Sequence, residues 1–264
     1  MKEMNELKEA KQPYLEEFTK VSGFTVWIVD GNYIRSSIDI EFTNFGQHLR
    51  FDFIPENEFW IDKEHVPGEE SFFIAHLLVE NKLMTQGMGY DEALDEADKA
   101  ELEERSRSKL MQGIRKKGFG KDDIIREIHK ELLAEYGDLK VWIVDGELIR
   151  SALYVEFTEG GHDKIYSFVP ENEIWIDDDL NPEERKFIVL HELYERNLML
   201  KNWSYYVEEE EQLKHRRGNR FKSAHTAASA LEWMCRQNPG MLDEKLNEEV
   251  EKLTKKAPLL LARK

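Results

Sequence analysis

The sequence predicts an α+β protein built from two tandem copies of one unit, each a small antiparallel or mixed β-sheet packed with helices. Three observations predict it. The chain overlays on itself at a shift of 115 residues, each overlaid half passes from β-rich runs to helical spacing, and 264 residues accommodate two domains of ordinary size. Between 26–84 and 141–199 the shift yields 29 identities in 59 positions without a gap, which only duplication explains. Val26-Trp27-Ile28-Val29-Asp30-Gly31 falls on Val141-Trp142-Ile143-Val144-Asp145-Gly146, and His76-x-Leu78-x-Glu80 falls on His191-x-Leu193-x-Glu195. Two copies are fewer than the three a solenoid needs. The domains are therefore read as 1–118, a degenerate first copy, and 119–264, a second copy with a helical insertion and a C-terminal helix. The joint lies near Gln112–Lys121, where Gly113, Gly118 and Gly120 are expected to break any helix.

The second copy shows the elements of the unit in order. Ile124, Ile125, Ile128, Leu132 and Leu133 recur at helical spacing and predict a lead-in helix over 122–136, ended by Gly137-Asp138. Val141–Val144 is a strand, Asp145-Gly146 a hairpin turn, and the alternation from Leu148 to Phe157 a second strand. Ile165–Val169 and Glu173–Ile176 supply a third and a fourth. Asn181-Pro182-Glu183-Glu184 then opens a helix to about Lys201: a cap residue, a proline in the first turn and acids at the positive helix end all agree. Met241–Lys256 reads as a charged amphipathic helix and Pro258–Leu261 as an apolar tail. The repeated Trp27, Trp60, Trp142 and Trp175 belong to packing, and Arg35 and Arg150 to structural ion pairs.

Composition restricts function. Hydrophobic residues are 41% of the chain, enough for a core, and no apolar run nears the ~20 residues of a membrane span. The charged N-terminus lacks the apolar stretch of a secretory signal. With Cys235 as its one cysteine, the chain can form no internal disulfide, and a reducing, cytoplasmic setting is expected. The net charge of -17 opposes direct binding to nucleic acid, which needs cationic contacts to phosphate. It is spread evenly, -9 over the first 120 residues and -8 over the rest. The exception is Lys214–Lys222, read either as a grip for an acidic substrate or as the partner of the acidic run Glu208–Glu211.

Chemistry concentrates in Phe187–Met199. His191 and Glu195, four apart on a helix, stand on one face and offer a two-point grip for a metal such as zinc. Glu192 sits beside them, where a zinc peptidase of the HExxH kind carries its general base. The same residues also suit an ordinary amphipathic helix. A third ligand is expected from His225 in the small-residue stretch Ser223–Ala230. His162, next to two glycines, and His215 are further candidates for the site, and Tyr205 could stabilise an oxyanion.

Ile174-Trp175-Ile176, Pro182-Glu183-Glu184-Arg185, Phe187 and His191-Glu192-Leu193 together resemble the core of small zincin metallopeptidases of the ImmA/IrrE type. The resemblance covers about 25 residues. It implies a zinc cofactor, a peptide or protein substrate, His191 as ligand, Glu192 as base, and an edge strand before the helix that pairs with extended substrate. Glu195 departs from the pattern, which has a second histidine there.

The first copy serves as an internal control. It keeps His76 and Glu80 but has Leu77 for Glu192, Gln47 for His162 and, if Tyr90–Ala97 corresponds to the His225 helix, Leu94 for His225. That correspondence implies an insertion of about 16 residues between Tyr205 and His225. The reading is an active second copy beside an inactive first: a metal-dependent, peptidase-like hydrolase. Two alternatives stay open, a non-enzymatic acidic module that binds a partner or imitates nucleic acid, and a metal site with a structural role alone.

Overall fold

Phe24-Thr25-Val26-Trp27-Ile28-Val29 is β-branched and aromatic throughout, a composition that favours a pleated, packed surface. In the computed structural model, which describes residues 13–206 and 223–254, it is an inner strand of a four-stranded sheet. That sheet consists of β1 (Tyr14–Val21), β2 (Phe24–Val29), β3 (Phe45–Gln47) and β4 (Glu58–Asp62), in the order β1-β2-β4-β3. β1 and β2 form an antiparallel hairpin across Ser22 and Gly23, both at positive φ (49° and 93°), as a tight two-residue turn demands. β2 and β4 run parallel, and β3 closes the edge antiparallel. The helices of the first repeat are α1 (Gly31–Ser37), α2 (Glu70–Thr85), α3 (Tyr90–Ser106) and α4 (Lys109–Lys117).

After α5 (Lys121–Ile128) the second repeat forms the same sheet from β5 (His129–Tyr136), β6 (Leu139–Val144), β7 (Gly160–His162) and β8 (Glu173–Asp177), in the order β5-β6-β8-β7. Its helices are α6 (Gly146–Ala152), α7 (Pro182–Met199), α8 (Ala224–Gln237) and α9 (Leu242–Thr254). The predicted α+β class and the two tandem sheet-and-helix copies are what the fold shows. No helix among the described residues is long and apolar enough to cross a membrane.

By compactness the chain divides differently from its repeat. One unit comprises Met1–Arg126 and Gly146–Thr158; the other comprises Glu127–Asp145 and Glu159–Lys264. In the first unit, Val26, Phe59, Ile61, Phe73 and Leu77 pack where α2 covers the sheet. In the second, Val141, Ile143, Ile174 and Ile176 of the sheet meet Ile188, Val189 and Leu193 of α7.

Several elements differ from expectation, each for a local reason. The lead-in helix stops at Ile128 and continues as β5, which pairs with β6; its helical spacing joined apolar residues of two elements, and Leu132 and Leu133 stand exposed on the strand. Asp145-Gly146 is a helix start rather than a hairpin turn, and Leu148–Phe157 begins as α6. The first copy shows why. Asp30 caps α1 by accepting the Tyr33 amide, and the Gly31 amide donates to Asp62 at 3.1 Å. A Cβ on Gly31 would fall 1.9 Å from the Asp62 carboxylate, so the pair is a cap followed by an obligatory close approach. Ile165–Val169 is no strand: the amides of Ile165 and Tyr166 both turn back onto the His162 carbonyl. Gly113 lies inside α4, which ends at Gly118 in the left-handed conformation (φ 67°). The Asn181 cap forms as expected, its side chain accepting from the amides of Glu183 and Glu184. The Lys214–Lys222 stretch, its acidic neighbour and the Pro258–Leu261 tail lie outside the described residues.

Two glycine substitutions test this reading. Gly31→Ala should lower stability by about 1–3 kcal/mol, because its methyl group invades a carboxylate already held by Arg35 at 2.6 Å. Gly113→Ala, with nothing within 4 Å, should raise it by roughly 0.5–1 kcal/mol through helix propensity. Urea unfolding of both variants measures the contrast.

Candidate metal centre

α7 has its apolar residues on the sheet side, and its repeat spacing sets His191, Glu192 and Glu195 toward α8 and β7. All three are buried. α8 packs against α7 through small residues, Ala224, Ala227 and Ala228, which allow close approach. At that distance α8 delivers His225 and Glu232, seven residues apart and so on one face.

The three predicted ligands come together. Nitrogen or oxygen atoms of His191, Glu195 and His225 lie within 4.8 Å of one another. Both imidazoles approach one carboxylate oxygen, Glu195 Oε2, at 3.5 Å from His191 Nε2 and 3.1 Å from His225 Nδ1. The outer atoms of the group are held as well. His191 Nδ1 donates to Glu232 Oε2 at 2.8 Å, which leaves Nε2, turned toward Glu195, as the nitrogen that would face a metal. Glu195 Oε1 accepts from His162 Nε2 at 3.0 Å. Such carboxylate–histidine pairs orient metal ligands and raise their basicity.

His162 was expected as a possible member of the site, and the structure places it behind Glu195. The Lys164 amide donates to His162 Nδ1 at 3.1 Å, so the proton must sit on Nε2, which gives it to Glu195. Both nitrogens are engaged in this arrangement, and a donor atom of His162 also lies within 4.8 Å of atoms of Glu192 and Glu195. Burial, foremost, holds this imidazole below its ordinary pKa and keeps it neutral in that role.

The charges are strongly perturbed. Burial disfavours the charged form of His191, but hydrogen bonds to Glu195 and Glu232 outweigh it and push its pKa well above the usual value. Burial alone would raise Glu195; hydrogen bonds from His162, His191 and His225 overcome it and hold the carboxyl far down. Glu192 goes the other way. Burial and then the Glu195 charge raise it, and no hydrogen bond from the described residues reaches its carboxyl. Two carboxylates three residues apart are thus split into an anchored anion and a proton acceptor of raised affinity.

Tyr205 packs at a tilt against His225 with ring centroids 5.1 Å apart, and Tyr206, 65% exposed, lies 5.5 Å from the same imidazole. The His225 amide donates to the Tyr205 carbonyl at 3.3 Å, so the ends of the chain flanking 207–222 are joined beside the site. His215 lies outside the described residues. The strand before the histidine helix, β8, is not an edge strand: β6 and β7 flank it, and the edge strands of the sheet are β5 and β7.

Four contributors are not among the residues predicted from the sequence. Glu232 is one; its signal is its seven-residue spacing from His225. Arg236 is another, donating to Glu232 at 2.8 Å and bidentately to Glu184 at 2.9 Å twice. Ala224, Ala228, Glu232 and Arg236 match Ala93, Ala97, Glu101 and Arg105 of α3 in spacing and burial, which places Leu94 opposite His225. Gly160 is the third. Its missing Cβ would lie 2.8 Å from Ile188 and 3.2 Å from Glu192, whereas its counterpart Phe45 fills that space in the first repeat, against Phe73 and His76. Room for the Glu192 side chain is made by deleting a ring on the neighbouring strand. The fourth is Asp163, clamped to Arg196 at 2.6 Å just after β7.

No family model, curated protein or solved structure matches this chain.

Asp163 yields a pH-dependent prediction. Burial opposes its charge, but Arg196, Lys164 and the Asn172 amide hold the carboxyl down at about 2, against about 3.9 in an unfolded chain. A depressed carboxylate contributes its full stability above the unfolded value and loses it as pH falls toward the folded one. Asp163→Asn should therefore cost about 3–5 kcal/mol near neutrality, since Arg196 is left buried without its anion. Urea titrations should show that deficit narrowing as the pH drops from 5 to 2.5.

Proposed function

We propose that the second repeat is a metal-dependent hydrolase site that cleaves peptide bonds, with zinc held by His191, Glu195 and His225. The observation that carries the reading is the convergence of two imidazoles on one carboxylate, with His191 and Glu195 each oriented by a buried partner. Two nitrogens and one oxygen form a donor set suited to zinc, and three protein ligands are the number a catalytic site uses when it keeps a position open. Zinc bound there supplies Lewis acidity and water activation near neutral pH.

The chain's own residues do the rest. Glu192 accepts the proton of the attacking water on a carboxyl that receives no hydrogen bond from the described residues, and its raised affinity lets it retain that proton and return it to the departing amine. Glu232 and His162 keep His191 and Glu195 in one orientation, so the ligands do not reorganise during turnover. Tyr205 and Tyr206 pack around the His225 imidazole, and the substrate carbonyl would enter beside them. The first repeat has Leu77 at the position of the base and would not share this chemistry.

The test uses the full chain purified without added metal. Wild type should carry zinc, and His191→Ala should lose one equivalent by elemental analysis. Glu192→Gln should keep that equivalent while turnover of an unstructured protein such as casein falls by roughly 10²–10⁴. Full activity in metal-free protein, or in Glu192→Gln, overturns the proposal. Retained metal in a folded chain that never turns over substrate supports a structural metal instead.

A further inference from the structure

The corresponding position of the first repeat has been altered in a consistent direction. His76 is only 2% exposed, and neither of its ring nitrogens makes a well-aligned hydrogen bond among the described residues, although three carboxylates surround it. Glu80 Oε2 is 3.5 Å from Nε2; Asp98 Oδ1 and Glu101 Oε2 are 3.5 Å and 3.0 Å from Nδ1. The equivalent nitrogen of His191 has a well-aligned hydrogen bond to Glu232. One exchange on the helix packed beside it goes with the difference. Asp98 stands where α8 has Ser229, one turn beyond the lost ligand position at Leu94. A second carboxylate thus reaches the imidazole from the α3 side.

The surroundings favour a cation. Donor atoms of His76, Asp98 and Glu101 lie within 4.8 Å of one another. They line a cavity of about 160 Å³ that Glu80, Tyr90 and Glu156 also border. That volume holds several waters at ~30 Å³ each, which can complete a coordination shell. Of the nearby arginines, Arg105 is engaged with Glu101 and Glu69, and Arg50 lies against the rings of Phe51 and Tyr90. The repeat also preserves the support. Gln47 donates to Glu80 at 2.7 Å and accepts the Leu49 amide at 2.9 Å, the two bonds that His162 makes in the second repeat. A copy that had merely decayed would have no reason to keep this anchoring and add an acid.

We propose that the first repeat holds a divalent cation of its own on His76, Asp98 and Glu101, at a site without a catalytic base. One imidazole and two carboxylates, with room for water, form a harder donor set than that of the second repeat. It suits Mn²⁺, whereas two imidazoles favour zinc. The proposal stands independently of the hydrolase reading.

Mn²⁺ is the probe, and its free concentration is followed by electron paramagnetic resonance during titration of the full chain. Asp98→Ser installs the residue the second repeat carries, so the helix tolerates it. This variant should lose one equivalent of bound Mn²⁺ or weaken it at least tenfold, and His76→Gln should do the same. His191→Ala should leave that equivalent in place, which separates the two sites whichever of them fails. A folded wild-type chain that binds no Mn²⁺, or binding unchanged by Asp98→Ser, overturns the proposal.

Discussion

A buried arginine ties each histidine helix to the helix packed beside it. Arg236 spans from Glu184 in the first turn of α7 to Glu232 on α8, and Arg105 spans from Glu69, just before α2, to Glu101 on α3. A guanidinium removed from water is costly unless its carboxylates are well placed, and losing one partner costs more than the pair gains. The arrangement therefore tolerates one relative placement of the two helices. From that placement the rest of the site is determined: Glu232 reaches His191, His225 reaches Glu195, and Glu195 meets His162. The chemistry at His191 depends on a contact whose far end is nearly two turns away at Glu184.

The duplication shows which parts of this frame are separable from its chemistry. The arginine bridge, the histidine and the second glutamate persist in both repeats. Gln47 keeps the hydrogen bonds of His162 without an imidazole, because a side-chain amide also offers one donor and one acceptor. The groups facing the interior of the site are the part that varies. Glu192 requires Gly160 and Leu77 goes with Phe45, so base and space change together.

Much of the site was legible in the chain because helices convert sequence spacing into geometry directly. The His191–Glu195 face, the Asn181 cap and the place of Leu94 opposite His225 all arise from helical periods. Glu232 and Arg236 obey the same rule, but an acid and a base four apart on a helix also describe an ordinary surface pair, and only burial distinguishes the two. The sheets were less legible. β7 has three residues, two of them glycine, and no composition marks it as a strand; its pairing with β8 decides it. α6 was hidden because Leu148–Phe157 alternates by chance; in its counterpart α1 the helix start is marked by the contact that Gly31 makes with Asp62, far away in sequence. The edge position expected for β8 failed for the same reason, since strand order is a property of pairing and not of any one segment.

Glu69 has a further partner: Arg150 of α6 donates to both of its oxygens, at 2.9 Å and 2.7 Å. The compact unit that contains Glu69 thus uses a stretch encoded in the second repeat, 146–158, which also supplies Val155, Glu156 and Thr158 to the cavity beside His76. The genetic module and the folding module do not coincide. A gene cut at the repeat boundary would encode a fragment lacking one of the two cations around a fully buried carboxylate, and lacking one wall of its cavity. Although it arose from a duplication, the protein is no longer divisible into its copies, and recombination within it would be tolerated only where both modules are kept whole.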